Sequence, residues 1–189
     1  MSTKTIAIIE ATGNIGSGFA KKLAKGNYRL LLFAHESKKL NSLAEEIRTQ
    51  TPTVDLDCMG CAAEASWEAD IIISVVPLGE EKEMAKKIEP FANRKILVSI
   101  SNNKNYSLIN PKSIGETKRL QKLLPGAKVV KLFNISFNTN GIQNLPFITG
   151  NDEETLKMVK EILEIAGFDH VQLINYSASP EKILLTNKT

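Results

Sequence analysis

The hydrophobic pattern along the chain keeps changing its period. Residues 6–9 (IAII) form a short apolar run of the kind that fills a parallel strand buried on both faces. Phe19, Ala20, Leu23 and Ala24 then recur at helical spacing, and Gly26 supplies a stop. The switch repeats. Residues 28–33 (YRLLLF) read as a second strand. A helix capped by Ser37 runs to about residue 48, with Leu40, Leu43, Ala44 and Ile47 on one face, and Pro52 lies beyond it. A short strand over 53–58 and a helical link over 62–68 lead to a continuous apolar strand, 70–76 (DIIISVV), ended by Pro77. A helix over 79–92 turns Met84, Ile88 and Phe91 inward. Residues 95–100 are a fifth strand, 116–124 a helix stopped by Pro125-Gly126, and 127–133 a sixth strand. The tail adds a strand at 146–149, a helix over 152–166 with Asn151 and Glu154 as a capping box, and a strand at 171–174.

Strict alternation of strand and helix predicts an α/β fold: a doubly wound Rossmann-type sheet, mostly parallel, with right-handed crossovers and a C-terminal strand–helix–strand addition. The length of 189 residues suits a single dinucleotide-binding domain spanning 1–189. In such sheets ligands sit beyond the C-terminal ends of the strands. The long irregular stretches 101–115 and 134–145 leave two central strands at that end.

The first strand runs into its helix through Glu10-Ala11-Thr12-Gly13-Asn14-Ile15-Gly16. A glycine-containing turn between strand and helix is the phosphate-holding part of a dinucleotide site. Gly13 lets the backbone approach a diphosphate, and Gly16 lets the helix pack closely on the strand. The N–H groups of Asn14, Ile15 and Gly16 then face the anion, assisted by the helix dipole. Glu10 stands where such turns usually have their first glycine, and its carboxylate is expected to crowd or repel the diphosphate.

Composition narrows the setting. Charged residues are 24% and hydrophobic ones 42%, with a net charge of +3 and no basic block, which argues against a nucleic-acid partner. No apolar run reaches membrane-spanning length, and the N-terminal one is too short for a signal peptide and is needed as a strand, so a cytoplasmic protein without a membrane partner is expected. Cys58 and Cys61 are spaced C-x-x-C. With no second ligand pair and with His35 and His170 isolated, they read as two reduced cysteines in a loop, and no metal site is expected.

Cofactor choice is read after the second strand, at Phe33-Ala34-His35-Glu36-Ser37-Lys38-Lys39. An NAD site usually places an acid at the strand end, for the ribose hydroxyls. Ala34 is there instead. His35, Lys38 and Lys39 suit a 2′-phosphate, so NADP is favoured, with NAD as the second choice and Glu36 as its candidate acid. Val76 and Pro77 would line the crevice by their backbone. Asn102 and Asn134, after the fifth and sixth strands, would offer amides to the nicotinamide side. No Tyr-x-x-x-Lys pair and no Ser-His-Asp arrangement occurs, and no catalytic residue is assigned. Hydride transfer between stacked rings depends on positioning more than on proton transfer.

Five segments together, IIEATGNIG, ADIIISVVP, KILVSISNN, LLPGAKVVKLFN and FITGND, resemble the NADP reductases that use the deazaflavin coenzyme F-420. They are similar also to the cytosolic reductase domain of the six-transmembrane ferric reductases. The resemblance covers about residues 5–174 and points to the superfamily rather than to a substrate. It implies NADP(H) lying across the strand ends, with Thr12, Gly13, Asn14 and Ile15 at the diphosphate, Lys39 at the 2′-phosphate, and Val76, Pro77 and Asn134 toward the nicotinamide. Ala34-His35 replaces the Ser-Arg of those families, and Glu10 replaces a glycine. Loss of the bidentate guanidinium implies a weaker grip on the 2′-phosphate and blurred discrimination against NAD. The expected function is an NADP(H)-dependent oxidoreductase passing a hydride to a small flavin-like or deazaflavin-like electron acceptor, with a homodimer left open. The alternatives are a non-catalytic NAD(P)-binding sensor and an atypical short-chain dehydrogenase relative.

Overall fold

The computed structural model describes residues 3–101, 111–135, 137 and 146–177. The chain runs β1 (Lys4–Ile9), α1 (Asn14–Leu23), β2 (Tyr28–Phe33), α2 (Ser37–Gln50), β3 (Asp55–Cys58), α3 (Ala62–Glu68), β4 (Ile71–Ser74) and α4 (Glu81–Ile88). It continues with β5 (Ile96–Ser101), α5 (Pro111–Leu123), β6 (Lys128–Phe133), β7 (Phe147–Gly150), α6 (Glu153–Ile165) and β8 (Gln172–Asn175). The strands form one sheet in the order β3-β2-β1-β4-β5-β6-β7-β8. The first six are parallel, β7 is antiparallel to β6, and β8 is parallel to β7. The direction of winding reverses between β1 and β4. That opens a crevice at their C-terminal ends, where α/β sheets bind ligands.

Both faces of the sheet are covered, so its central strands are apolar on both sides. Ile6, Ile8, Leu30, Leu32 and Ile73 pack against α1, α2 and α6, including Phe19, Leu43 and Val159. Ala7, Leu31, Ile72, Leu97 and Val129 pack on the other side against α3, α4 and α5, through Ala65, Met84, Ile88 and Leu120. Most boundaries fall within a residue or two of the sequence reading. The main departure is α5, which begins at Pro111 rather than near Glu116; proline is well suited to a first helical turn. The cap of α6 also shifts by one residue. Asp152 occupies it rather than Asn151, and its carboxylate accepts from Thr155 Oγ1 at 2.5 Å.

One row across the sheet is polar and buried. Ser74, Ser99, Lys131 and Thr149 are in register on β4, β5, β6 and β7. Lys131 Nζ donates to Glu81 Oε1 at 2.7 Å and to Glu116 Oε2 at 3.3 Å, and Ser99 Oγ donates to the same Glu81 oxygen at 2.6 Å. The hydroxyls of Thr117 and Thr149 are hydrogen-bonded to each other. The first residue of α4 and the first turns of α5 are thereby pinned close to the ends of β5 and β6.

Candidate functional site

The β1–α1 turn has the shape of a glycine turn although it opens with glutamate. Glu10 sits at φ 62, in the left-handed region that glycine enters freely. The Ala11 N–H donates to the Phe33 carbonyl at 2.9 Å, which hooks the turn to the end of β2. Gly16 is buried against this turn. A Cβ there would fall on the Glu10 carbonyl oxygen and lie 2.9 Å from Ala11 Cα. Its close-packing role therefore follows from backbone geometry. Gly13 differs: a Cβ would meet only the Glu10 carbonyl, at 3.7 Å, so the protein itself does not require glycine there. The space it leaves faces outward, where an incoming group would approach.

Gly13 is the N-cap of α1, with extended backbone and no side-chain capping bond, and the first turn of the helix holds no acidic residue. The N–H groups of an α-helix's first turn have no intrahelical acceptor. Those of Ile15 and Gly16 belong to that turn, while the Ile15 side chain is buried in the core. Thr12 is half-buried and Gly13 and Asn14 are exposed. The residues present thus fit an anion: a helix N-terminus whose N-cap, Gly13, brings no capping side chain and whose first turn is acid-free, at the mouth of the β1–β4 crevice.

Beside this mouth, the end of β2 places Ala34 in the core and His35 and Lys39 in solvent. Neither basic side chain stands alone. His35 Nδ1 lies 2.6 Å from Glu10 Oε1, and the His35 ring meets Phe33 edge-on with centroids 5.4 Å apart. Lys39 Nζ donates to Glu36 Oε1 at 2.8 Å. The Glu10 carboxylate, expected to crowd the diphosphate, is hydrogen-bonded to His35. On the other flank the Val75 N–H donates to the Ile9 carbonyl at 3.2 Å, and the chain leaves β4 through half-buried Val76 and exposed Pro77. The Pro77 carbonyl accepts from the Glu80 N–H at 2.8 Å, closing a turn before α4. Asn134, directly after β6, is half-buried at φ 58, which asparagine tolerates better than most residues. Asn102 lies outside the described residues.

Two site features escaped the sequence reading. Gly18 allows the Phe137 ring to lie on α1, where a Cβ would fall inside that ring. Phe137 stacks edge-on to Phe19 at 5.2 Å and to Phe168 at 5.1 Å, so residue 137 is drawn onto α1. The only cue was an isolated aromatic in a stretch rich in Asn and Gly. The buried triad of Glu81, Lys131 and Glu116 was signalled by a lysine in the middle of an apolar strand, VVKLF. Cys58 ends β3, and its thiol is pushed up by burial. Cys61 caps α3 by accepting from the Glu64 N–H at 3.4 Å, and both cysteines are free. Among the described residues, no group of His, Cys, Asp and Glu is placed to hold a metal ion. A polar concavity of about 450 Å³, lined in part by Gly26, Tyr28, Thr53 and Asp55, lies at the opposite end of the strands and plays no part in this site.

The sequence profile of the family described as "NADP oxidoreductase coenzyme F420-dependent" matches residues 5–103, just over half of the chain and the whole β1–β5 region. The chain belongs to this family. It is 25% identical over 173 residues to an F420-dependent NADP reductase of Methanocaldococcus jannaschii, covering 83% of this chain and 77% of that protein. Among solved structures it is similar to a provisionally assigned F420-dependent NADP reductase from Arthrobacter sp. FB24, with TM-score 0.69 and 20% identity over 96% of this chain and 90% of that one. It also resembles the NADP-bound pyrroline carboxylate reductase of Plasmodium falciparum, with TM-score 0.61, 17% identity and 92% of this chain covered. It spans only 58% of that enzyme's length. These two likenesses establish the Rossmann-type fold. Family membership makes the chain an NADP-dependent oxidoreductase. Among the described residues, no helix is long and apolar enough to cross a membrane.

Proposed function

We propose that the chain is one dinucleotide-binding unit that transfers a hydride between NADP(H) and a flavin-like or deazaflavin-like acceptor. The observation that carries this reading is the acid-free N-terminus of α1, with Gly13 as an N-cap without a side chain, at the β1–β4 crevice. When bound, the nicotinamide supplies the hydride chemistry. The protein's part is positioning. Thr12, Gly13, Asn14, Ile15 and Gly16 hold the diphosphate by backbone amides and the helix dipole. Ala34, His35 and Lys39 border the adenosine ribose. Val76, Pro77, Asn102 and Asn134 flank the nicotinamide side, with Asn134 turned by its left-handed backbone. The small-molecule acceptor would stack over that side, and exclusion of water by the two rings replaces a dedicated proton donor. The relative from M. jannaschii, an F420-dependent NADP reductase, supports a deazaflavin as one acceptor to try.

The test is a thermal-shift titration followed by a turnover assay. NADPH should raise the melting temperature, because a ligand that binds only the folded state must stabilise it. The dihydronicotinamide absorbance should then decay when F-420 or FMN is added under anaerobic conditions. Binding without decay for every acceptor tried would replace the reductase reading with a non-catalytic binding protein. No thermal shift at millimolar NADPH would remove the dinucleotide site altogether.

A further inference from the structure

Glu10 is a strained residue in the wrong place for a phosphate site and in the right place for a ribose. A non-glycine residue at φ 62 is strained, and such strain tends to persist at functional positions. The backbone turn does not need glutamate, because glycine would adopt the same conformation freely. What glutamate adds is a carboxylate. Ile9 is in register with Phe33 and the Ala11 N–H is bonded to the Phe33 carbonyl, so residue 10 lies beside Ala34 at the end of β2. Its carboxylate reaches His35 Nδ1 at 2.6 Å. An acid is thus present where NAD sites have one, but it arrives from β1 rather than from β2, whose own terminal residue is the apolar Ala34.

The surrounding charges agree. A carboxylate only accepts hydrogen bonds, so Nδ1 is the donor, and in a neutral ring Nε2 is then an acceptor. An acceptor suits a ribose hydroxyl and repels a phosphate oxygen. In a protonated ring the extra charge is offset by Glu10 itself. Lys39 is matched by Glu36, Glu10 is engaged by His35, and in formal charge the two lysines 38 and 39 are equalled by the two glutamates 10 and 36. A phosphomonoester brings about −1.5 to −2 charge at neutral pH, and this neighbourhood has no surplus of positive charge to meet it.

We propose that Glu10 is the cofactor-selecting residue of this chain: held by His35, its carboxylate accepts the ribose hydroxyls of an unphosphorylated adenosine ribose, so that the chain takes NAD(H) as well as NADP(H). The proposal rests on the reading that the β1–α1 mouth holds a dinucleotide. His35 is a positioning residue here, since it fixes the carboxylate and its ring is fixed in turn by Phe33.

The test is equilibrium binding of NADH, NADPH, NAD and 2′-deoxy-NAD to the full chain and to Glu10→Gln. That variant keeps the size and the backbone strain of the residue and removes only the charge. Wild-type protein should bind NADH and NADPH within about tenfold of each other, and should bind 2′-deoxy-NAD on the order of tenfold more weakly than NAD. In Glu10→Gln the NADH affinity should fall about tenfold relative to NADPH, and the penalty for the deoxy analogue should shrink, as expected for directly coupled groups. A wild type that rejects NADH by a hundredfold, or one indifferent to the 2′-hydroxyl, overturns the proposal while leaving the dinucleotide site intact. So does a Glu10→Gln variant with an unchanged NADH-to-NADPH ratio. If neither dinucleotide binds the wild type, the proposed function falls as well. The two wild-type comparisons hold even if the variant fails to fold.

Discussion

Replacing Lys131 by methionine should unfold the chain at a distinctly lower temperature, and the size of the drop can be worked out from its neighbours. Methionine fills most of the same space, so little of the loss comes from packing. The loss is electrostatic. Lys131 is fully buried between Glu81 and Glu116, themselves buried, and Ser99 donates to the Glu81 oxygen that Lys131 also contacts. Removing one member of a buried ion network typically costs about 3–5 kcal/mol, because the partner charges are left without a counter-ion. Arg119, 3.8 Å from Glu81 and largely exposed, retains some compensation and argues for the lower end, about 3 kcal/mol. For a chain of this size that corresponds to about 6–12 °C in Tm. The companion variant Glu81→Gln, Lys131→Met, Glu116→Gln should recover most of the loss, since a neutral replacement of a whole buried network is often close to neutral. Thermal unfolding followed by circular dichroism reads both. A Lys131→Met protein within 2 °C of wild type, or a triple variant no better than the single one, would refute the claim that uncompensated charge drives the effect.

Glu10→Gly relieves a left-handed glutamate and should raise stability by about 1 kcal/mol, read as a higher unfolding midpoint in urea. Gly16→Ala should do the opposite, losing about 1–3 kcal/mol, because its Cβ meets fixed backbone at Glu10 and Ala11 rather than a flexible side chain. Gly13→Ala has room within the protein and should leave the melting temperature near wild type while weakening NADPH binding; a comparison of the two variants by thermal shift and titration separates fold from ligand approach. The Asp152 carboxyl is held below the usual aspartate range by its hydrogen bond from Lys128, with a second from Thr155. A depressed carboxylate contributes stability above its unfolded-state value and loses it as the pH falls through the lower folded one. Lys128→Ala should therefore flatten the acid limb of the Tm–pH curve. The change should be small at high salt, because the Lys128 side chain is half exposed.

What could be read from the sequence followed the strength of the periodic signal. The runs IAII, YRLLLF and DIIISVV each became a parallel strand inside the sheet, because the stretch of such a strand that is buried on both faces, here residues 6–9, 30–32 and 71–73, must be apolar. Proline and glycine set several boundaries correctly. The start of α5 was missed because Pro111 reads as a breaker when the loop before it is long, yet proline is favoured in a first helical turn. Asp152 took the cap expected of Asn151, where two adjacent residues of nearly equal capping strength leave the choice to the tertiary contact with Lys128 and the local bond from Thr155 in the helix's first turn. Pairings distant in sequence were out of reach of periodicity, and the site depends on them. Glu10 to His35, Gly18 to Phe137 and Lys131 to Glu81 each join different elements.

The same distinction explains why this family member is readable as a dinucleotide enzyme before its cofactor preference is. In the proposed site the diphosphate would be held by backbone amides at a turn whose close packing is set locally by Gly16, so the motif tolerates a foreign residue at position 10 as long as that residue accepts φ 62. Choice between ribose and 2′-phosphate is made by side-chain charges that converge from two strands, and convergence appears only in the fold. Read along the chain, His35 and Lys39 form a basic cluster next to Glu36. Read in space, each has an acidic partner, one of them delivered from a strand that precedes it by a whole βα unit. The charge that matters at a binding site is the sum after pairing, and here both His35 and Lys39 carry an acidic partner before any ligand arrives.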